Sequence, residues 1–417
     1  MNPFQKAYCR TYQCVLRLAL PFLPYRKPTQ LESIRELPSL FRQKKITSVM
    51  LITDKSIRFH GITRPLERLL SDAGIACTVY DETVANPTTV NVEDARERYL
   101  ANRCQALIGF GGGSSIDCAK AVGARVAKPK QSLEQMKGIL RVHKRLPLLV
   151  AIPTTAGTGS ETTLAAVITD AESRHKYPIN DFPLIPRYAV LDPETTRTLP
   201  ASLTATTGMD ALTHAVEAYI GRSTTAETRR DALQAVYLIF RYLRRAYHNG
   251  DDMVARRKML QAAYLAGSAF SKSYVGYVHA VAHSLGGKYN IPHGLANAVL
   301  LPYVLESYGD VVYPKLRVLA VAAGVADRSD SEAEASRKFL DAVKAMQEEF
   351  HIGNKLSGIV REDVPRLAKL AAKEGNPLYP VPVLMTAKEL EKFYYAVMET
   401  AGSRPPRRVN APERGSL

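Results

Sequence analysis

Short apolar runs alternate with helix-like stretches through the first half of the chain. The continuous apolar segments rich in β-formers are predicted strands, at residues 46–53, 76–80, 105–110 and 146–152. Segments between them, such as 66–73 and 92–103, repeat apolar residues at helical spacing. Strands separated by helices predict parallel βαβ units. Because the strands are apolar throughout rather than at alternate positions, we expect a sheet that is covered on both faces.

Helical periodicity dominates after about residue 200. The clearest helical segments are 209–219, 229–247, 253–270, 331–349 and 387–398. This change of pattern predicts a domain boundary near residue 200. We therefore divide the chain into a basic N-terminal extension at 1–45, an α/β domain at 46–200, a helical domain at 201–400 and a flexible basic tail at 401–417.

Composition excludes several classes of protein. Of the 417 residues, 46% are hydrophobic and 23% are charged, which is typical of a globular chain and not of a disordered one. No apolar run approaches the roughly 20 residues that a membrane-spanning helix needs. The 5 cysteines are odd in number and form no CxxC pair, which fits a reducing compartment. We therefore expect a cytoplasmic protein.

The net charge of +16 is concentrated at the two ends of the chain. Residues 1–45 contain nine Lys and Arg against two Glu, and residues 401–417 contain four Arg against one Glu. A basic protein raises the question of a nucleic-acid partner. The sequence shows no zinc finger, no RNP-type aromatic motif and no strong helix-turn-helix signal. Solvated basic termini are the simpler interpretation, and no nucleic-acid partner is expected.

The stretch at residues 14–24 is apolar and has basic neighbours. Arg17, Pro21 and Pro24 interrupt it and it lacks a clean cleavage site, so it is a poor signal peptide. It could lie on a membrane surface. A short helix that packs on the body of the protein is favoured, because the two prolines end any amphipathic helix early.

Two glycine-rich loops directly follow predicted strands. GGGSSIDCAK at 111–120 combines close backbone approach with free N–H groups at a helix start, which suits a diphosphate. It is neither a GxGxxG fingerprint nor a P-loop, and a tight turn with a Ser cap is the alternative. PTTAGTGSE at 153–161 suits a ligand crevice at the end of an open α/β sheet, and a polar loop is its alternative. Two such loops on successive strands favour a common crevice.

Acidic and histidine side chains recur at helical spacing in the second half. Asp210 and His214 are four residues apart, as are His279 and His283, and His293 follows in a Pro-His-Gly turn. Such oxygen and nitrogen ligands suit Fe²⁺ or Zn²⁺. A lone histidine is more often a core or surface residue, but this cluster indicates a metal-assisted redox enzyme. Spacing alone does not separate His279 from His283.

Taken together, these segments resemble the iron-containing (group III) alcohol dehydrogenase family. The resemblance spans roughly residues 46–400, and the motifs occur in the family's order and spacing. The combination is highly specific although each motif alone is not. The matching segments are GGGSSIDCAKA, PTTAGTGSE, GMDALTHAVEAY, GYVHAVAHSLGG and IPHGLANAVLLP.

The resemblance implies an α/β Rossmann-like nucleotide-binding domain at the N-terminus and an all-α metal-binding domain at the C-terminus, the architecture shared with dehydroquinate synthase. His283 corresponds to a histidine that is not a ligand and lies beside the nicotinamide and the substrate. Phe270 corresponds to the aromatic wall of the substrate pocket. One Asp and three His hold the family's metal, Fe²⁺ here with Zn²⁺ as the alternative, and the implied ligands are Asp210, His214, His279 and His293.

The implied reaction is hydride transfer between NAD(H) and a small alcohol or aldehyde. The metal acts as a Lewis acid, and His283 is the candidate proton relay. Asp54, at the end of the first predicted strand, is implied to face the adenosine ribose, where a carboxylate favours NAD over NADP. The other implied cofactor contacts are Asn86, Gly112, Gly113, Ser114, Thr154, Thr155 and Thr158.

Related enzymes of the same superfamily are the main alternatives. Zinc-type glycerol or polyol dehydrogenases use fewer ligands, and maleylacetate reductases lack the metal set, so the complete Asp/His set argues against both. A dehydroquinate-synthase-like lyase would need a differently placed base and phosphate-binding Lys or Arg. A non-catalytic nucleotide-binding scaffold need not keep such a constellation. The first ~40 residues and the Arg-rich tail have no counterpart in the family pattern. We expect a homo-oligomer.

Overall fold

The computed structural model describes residues 1–173 and 175–399. The predicted tail at 401–417 lies outside the described residues. A six-stranded sheet and a three-stranded sheet form the first half of the molecule. Their strands are β1 Thr29–Leu31, β2 Ser48–Ile52, β3 Ala76–Tyr80, β4 Ala106–Gly111, β5 Gly138–Ile139, β6 Leu148–Pro153, β7 Ala165–Thr169, β8 Lys176–Asn180 and β9 Tyr188–Val190.

The larger sheet is parallel throughout, in the order β1-β9-β6-β4-β2-β3. β4 and β6 are neighbours whose carboxyl ends align, with Gly111 opposite Pro153. The smaller sheet has the order β5-β8-β7, with β7 antiparallel to β8. The crossover helices are α2 Leu37–Gln43, α3 Lys55–Phe59, α4 Arg64–Asp72, α5 Thr89–Ala101 and α6 Gly113–Ala127.

Both faces of the large sheet are buried, as the apolar strands predict. In β2, Met50 and Ile52 belong to one apolar cluster, whereas Val49 and Leu51 belong to another on the opposite face. Successive side chains of a strand point to opposite faces, so a strand that is covered on both sides must be apolar at every position.

The second half of the chain is helical, in agreement with the change of pattern near residue 200. α7, Ala201–Ile220, is buried along most of its length, although polar side chains such as Asp210 and His214 interrupt its apolar residues. One large apolar cluster joins the helices. They are α7 Ala201–Ile220, α8 Ala226–His248, α9 Met253–Ser273, α10 Tyr277–Tyr289, α11 His293–Tyr308, α12 Tyr313–Ala323, α13 Glu332–Glu349, α14 Val364–Gly375 and α15 Ala387–Val397.

The N-terminal segment, predicted as a basic extension at 1–45, contributes to the large sheet. β1 pairs in parallel with β9, and α2 contributes Leu37 and Phe41 to the core of the large sheet. The sheet therefore begins well before the predicted boundary at residue 46. A three-residue strand is too short to show a periodic pattern, which is why the sequence did not reveal it.

A helix precedes this strand. α1 spans Pro3–Ala19 and packs on the helical half of the molecule, where Arg10 donates to the carbonyls of Val381 and Pro382, both at 2.8 Å. The predicted helix on the body is thus present, and it ends just before Pro21. Among the described residues, no helix has both the length and the apolar character needed to span a bilayer.

Candidate metal and cofactor site

Four side chains from three helices converge in the interior of the helical half. Asp210 and His214 lie one turn apart on α7, His279 lies on α10, and His293 is the first residue of α11. One potential ligand atom from each lies within 4.8 Å of the others. His283, one turn beyond His279, is outside this set. The structure thus separates the two histidines that spacing alone leaves equivalent.

A close approach between α7 and α11 brings the cluster together. A Cβ on Gly294 would lie 2.6 Å from the carbonyl oxygen of Thr206, so only glycine permits this packing. His293, the preceding residue, then places its Nε2 3.4 Å from Oδ1 of Asp210. The Pro-His-Gly turn therefore allows the two helices to pack closely and also supplies a candidate ligand.

Two imidazole nitrogens of the cluster are left without a hydrogen bond. Nδ1 of His214 and Nε2 of His279 are buried and have no hydrogen-bond partner within the described residues. Burial is the main cause that lowers the pKa of His214, of His279 and of His293, the last to about 4. Neutral imidazoles with unused lone pairs, beside a carboxylate, are the donor set that a divalent transition metal requires, so these residues fit such an ion.

A second carboxylate holds His279 in place. Oε2 of Glu217 accepts from Nδ1 of His279 at 2.6 Å and from the backbone N–H of Gly276 at 2.8 Å, and Oε1 accepts from the N–H of Val278. Burial raises the pKa of Glu217 to about 7. With Nδ1 occupied as a donor, Nε2 of His279 is left as the lone-pair atom that faces the cluster.

Asn297, which the sequence analysis missed, supports the opposite side of the cluster. Its Nδ2 donates to Oδ1 of Asp210 at 2.6 Å and lies 3.1 Å from Nε2 of His293. The available signal is its position four residues after His293, on the same face of α11.

Two ring-stacking contacts lie at the edges of the cluster. The ring of Phe270, on α9, stacks on His214 with centroids 4.2 Å apart and planes at 14°. The ring of His283 stacks on His293 at 5.2 Å. Phe270 therefore forms an apolar wall beside the donor atoms, and His283 lies at the outer edge of the cluster.

His283 is paired with Glu374 of α14. Its Nδ1 lies 2.6 Å from Oε1 of Glu374, and the hydroxyl of Tyr379 donates to the same oxygen at 2.6 Å. Burial alone would raise the pKa of Glu374, but His283 and Tyr379 outweigh it and hold that pKa below its ordinary value. The ionised carboxylate fixes the ring of His283, whose side chain is 38% exposed. Sequence reasoning missed Glu374, since nothing in its local pattern relates it to His283.

The two glycine-rich loops touch each other above the ends of β4 and β6. Gly112 caps the N-terminus of α6 in an extended conformation. A Cβ on Gly113 would lie 3.2 Å from Cγ2 of Thr158, and one on Gly112 would lie 3.8 Å from Cγ2 of Thr155. The N–H of Thr154 donates to the carbonyl of Gly111 at 3.0 Å. The loops thus form a shared edge at the N-terminus of α6, as predicted for a crevice.

The second loop also reaches the Asp/His cluster. A Cβ on Gly157 would lie 2.6 Å from Cβ of Thr207, which lies one turn before Asp210 on α7. The helix N-terminus and the Asp/His cluster are therefore joined through one loop, which places both along a single cleft.

Asn86 lies at the mouth of this cleft. Its backbone, at φ 58°, donates to Oγ of Ser114 at 3.2 Å, and its Oδ1 accepts from Nζ of Lys176 at 2.6 Å. Asn86 and Lys176 line a cavity of about 510 Å³ that the end of α10, with Gly287, closes from the other half of the molecule. The cavity is large enough for part of a dinucleotide.

Asp54 lies at the carboxyl end of β2, at the same edge of the sheet. Its Oδ1 accepts from the N–H of Ile57 at 2.9 Å and caps α3. The side chain therefore has a local structural role, which leaves its second oxygen for another contact. The contact of Asp54 with the adenosine ribose remains a prediction.

Comparison with known proteins agrees with this geometry. Residues 29–193 match the family described as iron-containing alcohol dehydrogenase, and residues 204–398 match its C-terminal part. The chain is 38% identical over 362 residues to 1,3-propanediol dehydrogenase of Klebsiella pneumoniae, covering 86% of this chain and 92% of the relative. It is 34% identical over 355 residues to the NAD-dependent methanol dehydrogenase of Bacillus methanolicus, covering 85% of this chain and 93% of that relative. A crystal structure of a 1,3-propanediol oxidoreductase has a TM-score of 0.86 at 34% identity, covering 90% of this chain and 99% of the other.

Proposed function

Because this chain belongs to the iron-containing alcohol dehydrogenase family, we propose that it transfers a hydride reversibly between NAD(H) and a small primary alcohol or its aldehyde. The names of its relatives, which refer to 1,3-propanediol and methanol, support a short and polar substrate. The observation that carries the proposal is the buried Asp/His cluster at the end of the cofactor cleft.

The proposed metal ligands are Asp210, His214, His279 and His293. A divalent metal and NAD(H), when bound, supply Lewis-acid polarisation of the substrate oxygen and the hydride chemistry. The side chains of this chain orient the reactants. Phe270 excludes water from one side of the cluster, and Glu217 and Asn297 fix the imidazole and carboxylate orientations.

The proposed cofactor site follows the sheet edge. The N-terminus of α6, with Gly112, Gly113 and Ser114, offers unpaired N–H groups to the diphosphate, and the Thr154, Thr155 and Thr158 loop covers it from the other side. Asn86 lies at the mouth, and Asp54 is proposed to contact the adenosine ribose. Its negative charge would disfavour a 2′-phosphate, which supports a preference for NAD.

His283 is the proposed proton relay. Its Nδ1 is engaged with Glu374, so Nε2 is the atom that accepts the proton when an alcohol is oxidised and returns it when an aldehyde is reduced. Its partial exposure gives the proton a route to solvent. An imidazole that is stacked on the ring of a proposed ligand, but lies outside the ligand set, suits this role better than a role in metal binding.

Metal analysis of purified variants tests the assignment directly. His214→Ala should lose the bound metal and the NAD(H)-dependent turnover of short alcohols and aldehydes together, because a missing ligand leaves an incomplete coordination sphere. His60→Ala, which changes an exposed histidine far from the cluster, is the control and should retain both. A His214→Ala protein with a full equivalent of metal would overturn the proposed ligand set. The same analysis distinguishes iron from zinc.

We also propose that the protein is a homo-oligomer of the cytoplasm. All five cysteines are unpaired, which supports a reducing compartment. Light scattering on the purified protein measures the oligomeric state.

A further inference from the structure

Helix α1 packs one face on the protein and leaves an apolar face uncovered. Cys9, Gln13 and the following Leu20 are buried against the helical half of the molecule. On the opposite side, apolar and aromatic side chains repeat every three or four residues and continue into the next turn. This outer stripe consists of Phe4, Tyr8, Tyr12, Val15, Leu18 and Phe22, all exposed.

The inner face is fixed by specific hydrogen bonds. Nε2 of Gln13 donates to the carbonyl of Tyr379 at 2.7 Å, and the hydroxyl of Ser223 donates to the carbonyl of Gln13. Arg10 is held by two further carbonyls. Because these contacts pin the helix, the outer stripe cannot turn inward. Phe4 and Phe22 are 88% and 87% exposed, which is rare for phenylalanine in a folded protein.

A cluster of cations lies beside this stripe. Arg17 lies on α1. Nζ of Lys315, on α12, donates to the carbonyls of Ile220 and Gly221 at 2.8 and 2.6 Å, directly before Arg222, whose neighbour Ser223 is bonded to α1. Arg229, near the start of α8, donates to Oγ1 of Thr224 at 2.9 Å in the same segment. Burial, followed by these three arginines, lowers the pKa of Lys315 to about 8. Within the described part of the chain, no carboxylate forms an ion pair with Arg17, Arg222 or Arg229. The first acidic residue of the whole sequence is Glu32.

We propose that the outer stripe of α1 and the adjacent cation cluster dock together on the surface of an anionic lipid bilayer. Phenylalanine, tyrosine and leucine side chains on one face of a helix insert at the boundary between headgroups and acyl chains. Arginines without a carboxylate partner bind lipid phosphates, each contributing to the attraction to an anionic surface. Binding to such a bilayer therefore accounts both for the exposed outer stripe and for the adjacent arginines that have no carboxylate partner.

A second copy of this chain fits the same surface less well. A two-fold contact through the stripe would place each copy's Arg17, Arg222 and Arg229 near their counterparts. Like charges at such an interface repel each other unless a carboxylate separates them. The structure shows no carboxylate paired with these three arginines among the described residues.

Vesicle co-sedimentation with the purified full-length protein tests the proposal. We expect binding to vesicles of phosphatidylcholine mixed with phosphatidylglycerol, much weaker binding to phosphatidylcholine alone, and release when NaCl is raised. The triple variant Arg17→Gln, Arg222→Gln, Arg229→Gln should weaken binding on the order of 100-fold at low salt. A control with the same loss of charge, Arg35→Gln, Arg42→Gln, Arg68→Gln, should bind nearly as well as the wild type.

A second pair of variants isolates the apolar contribution. Phe4→Gln, Val15→Gln and Leu18→Gln together remove much of the stripe while keeping a residue of good helix propensity. They should abolish most of the binding that persists at raised salt. The control variant carries three glutamines at exposed apolar positions on other helices: Leu100→Gln, Val254→Gln and Leu370→Gln.

Unchanged thermal unfolding and enzyme turnover establish that each variant is folded, and the charge variants provide an independent test if the stripe variant is not. Equal loss of binding in the test and control variants would overturn the proposal, as would a wild type that binds neither kind of vesicle. A stripe variant that dissociates a wild-type oligomer without any effect on vesicles would show that a second copy covers the stripe.

Discussion

At the scale of single residues, the carboxylates around the cluster determine what its histidines can do. Glu217 fixes the tautomer of His279, and Glu374 fixes the ring of His283. The sequence places Glu217 one turn beyond His214, but its role depends on the approach of α10, which no local pattern encodes. The same holds for the difference between His279 and His283. They lie on one helix face, and only their position relative to α7 separates them.

Replacing Glu217 with Gln tests the support of His279. An amide has one acceptor oxygen and cannot satisfy the three donors that now surround the carboxylate. We expect metal affinity to fall by about 10–100-fold, measured by competition with a chelator. Glu306→Gln, at a surface ion pair, is the control. An unchanged affinity would mean that Glu217 has no influence on the metal.

Replacing His283 with Ala tests the relay. The variant should keep its metal and its affinity for NADH, and should lose turnover by about 10²–10⁴-fold with an altered pH–rate profile. Glu374→Gln should retain the imidazole and show a smaller loss. Loss of metal from the His283 variant would mean that the roles of His279 and His283 are exchanged, whereas an unaltered rate and profile would favour a packing role.

At the scale of secondary-structure elements, the apolar runs predicted the central strands closely. The predicted strand at 105–110 overlaps β4, Ala106–Gly111, whose residues are all buried, because a strand that is buried on both faces must be continuously apolar. β1 was missed because its three residues, Thr29–Leu31, include exposed polar positions and owe their conformation to β9. The long helices were found, and the predicted starts of α9 and α15 match the structure. The start of α7 was placed at 209 instead of Ala201, because small and hydroxyl-bearing residues precede Met209.

Asp54, at the end of β2, caps α3 and is also proposed to contact the cofactor, and one substitution separates these two roles. Asn caps a helix about as well as Asp, so Asp54→Asn should leave thermal stability nearly unchanged. It removes the negative charge, and we expect the ratio of kcat/KM for NADP to that for NAD to rise on the order of tenfold. An unchanged ratio, or a wild type that uses both cofactors equally, would contradict the proposed role of Asp54.

At the scale of the whole molecule, glycines allow the two halves to meet. Gly159, at φ 62°, packs against Gly267 of α9, and a Cβ on Gly159 would lie 2.6 Å from the Cα of Gly267. From sequence, the glycines of PTTAGTGSE indicate a ligand loop. In the structure, Gly157 and Gly159 also provide the close contact with α7 and α9. Contacts between distant segments of this kind leave no periodic signal, so the sequence predicted both halves but not how they fit.

Replacing Gly267 with Ala tests this contact. The new methyl group would lie 2.3 Å from Oγ1 of Thr162 and 2.8 Å from the Cα of Gly159, so the loop must shift. We expect a loss of about 1–3 kcal/mol in the free energy of unfolding, measured by denaturant titration, with a raised KM for NAD. Gly353→Ala, where the added methyl group meets only ordinary contacts, is the control. A Gly267→Ala protein as stable as the wild type would show that the contact is loose.

The chain order of the elements that build the site also has a consequence for biosynthesis. All four proposed metal ligands have been translated once His293 is in place, whereas Glu374, the partner of His283, follows on α14. A chain emerges from the ribosome with its N-terminal part first, and metal binding is coupled to folding. The proposed ligand set is therefore available to an incoming ion while α14 and α15 are still being made, and the partner of the proposed relay histidine is translated after it.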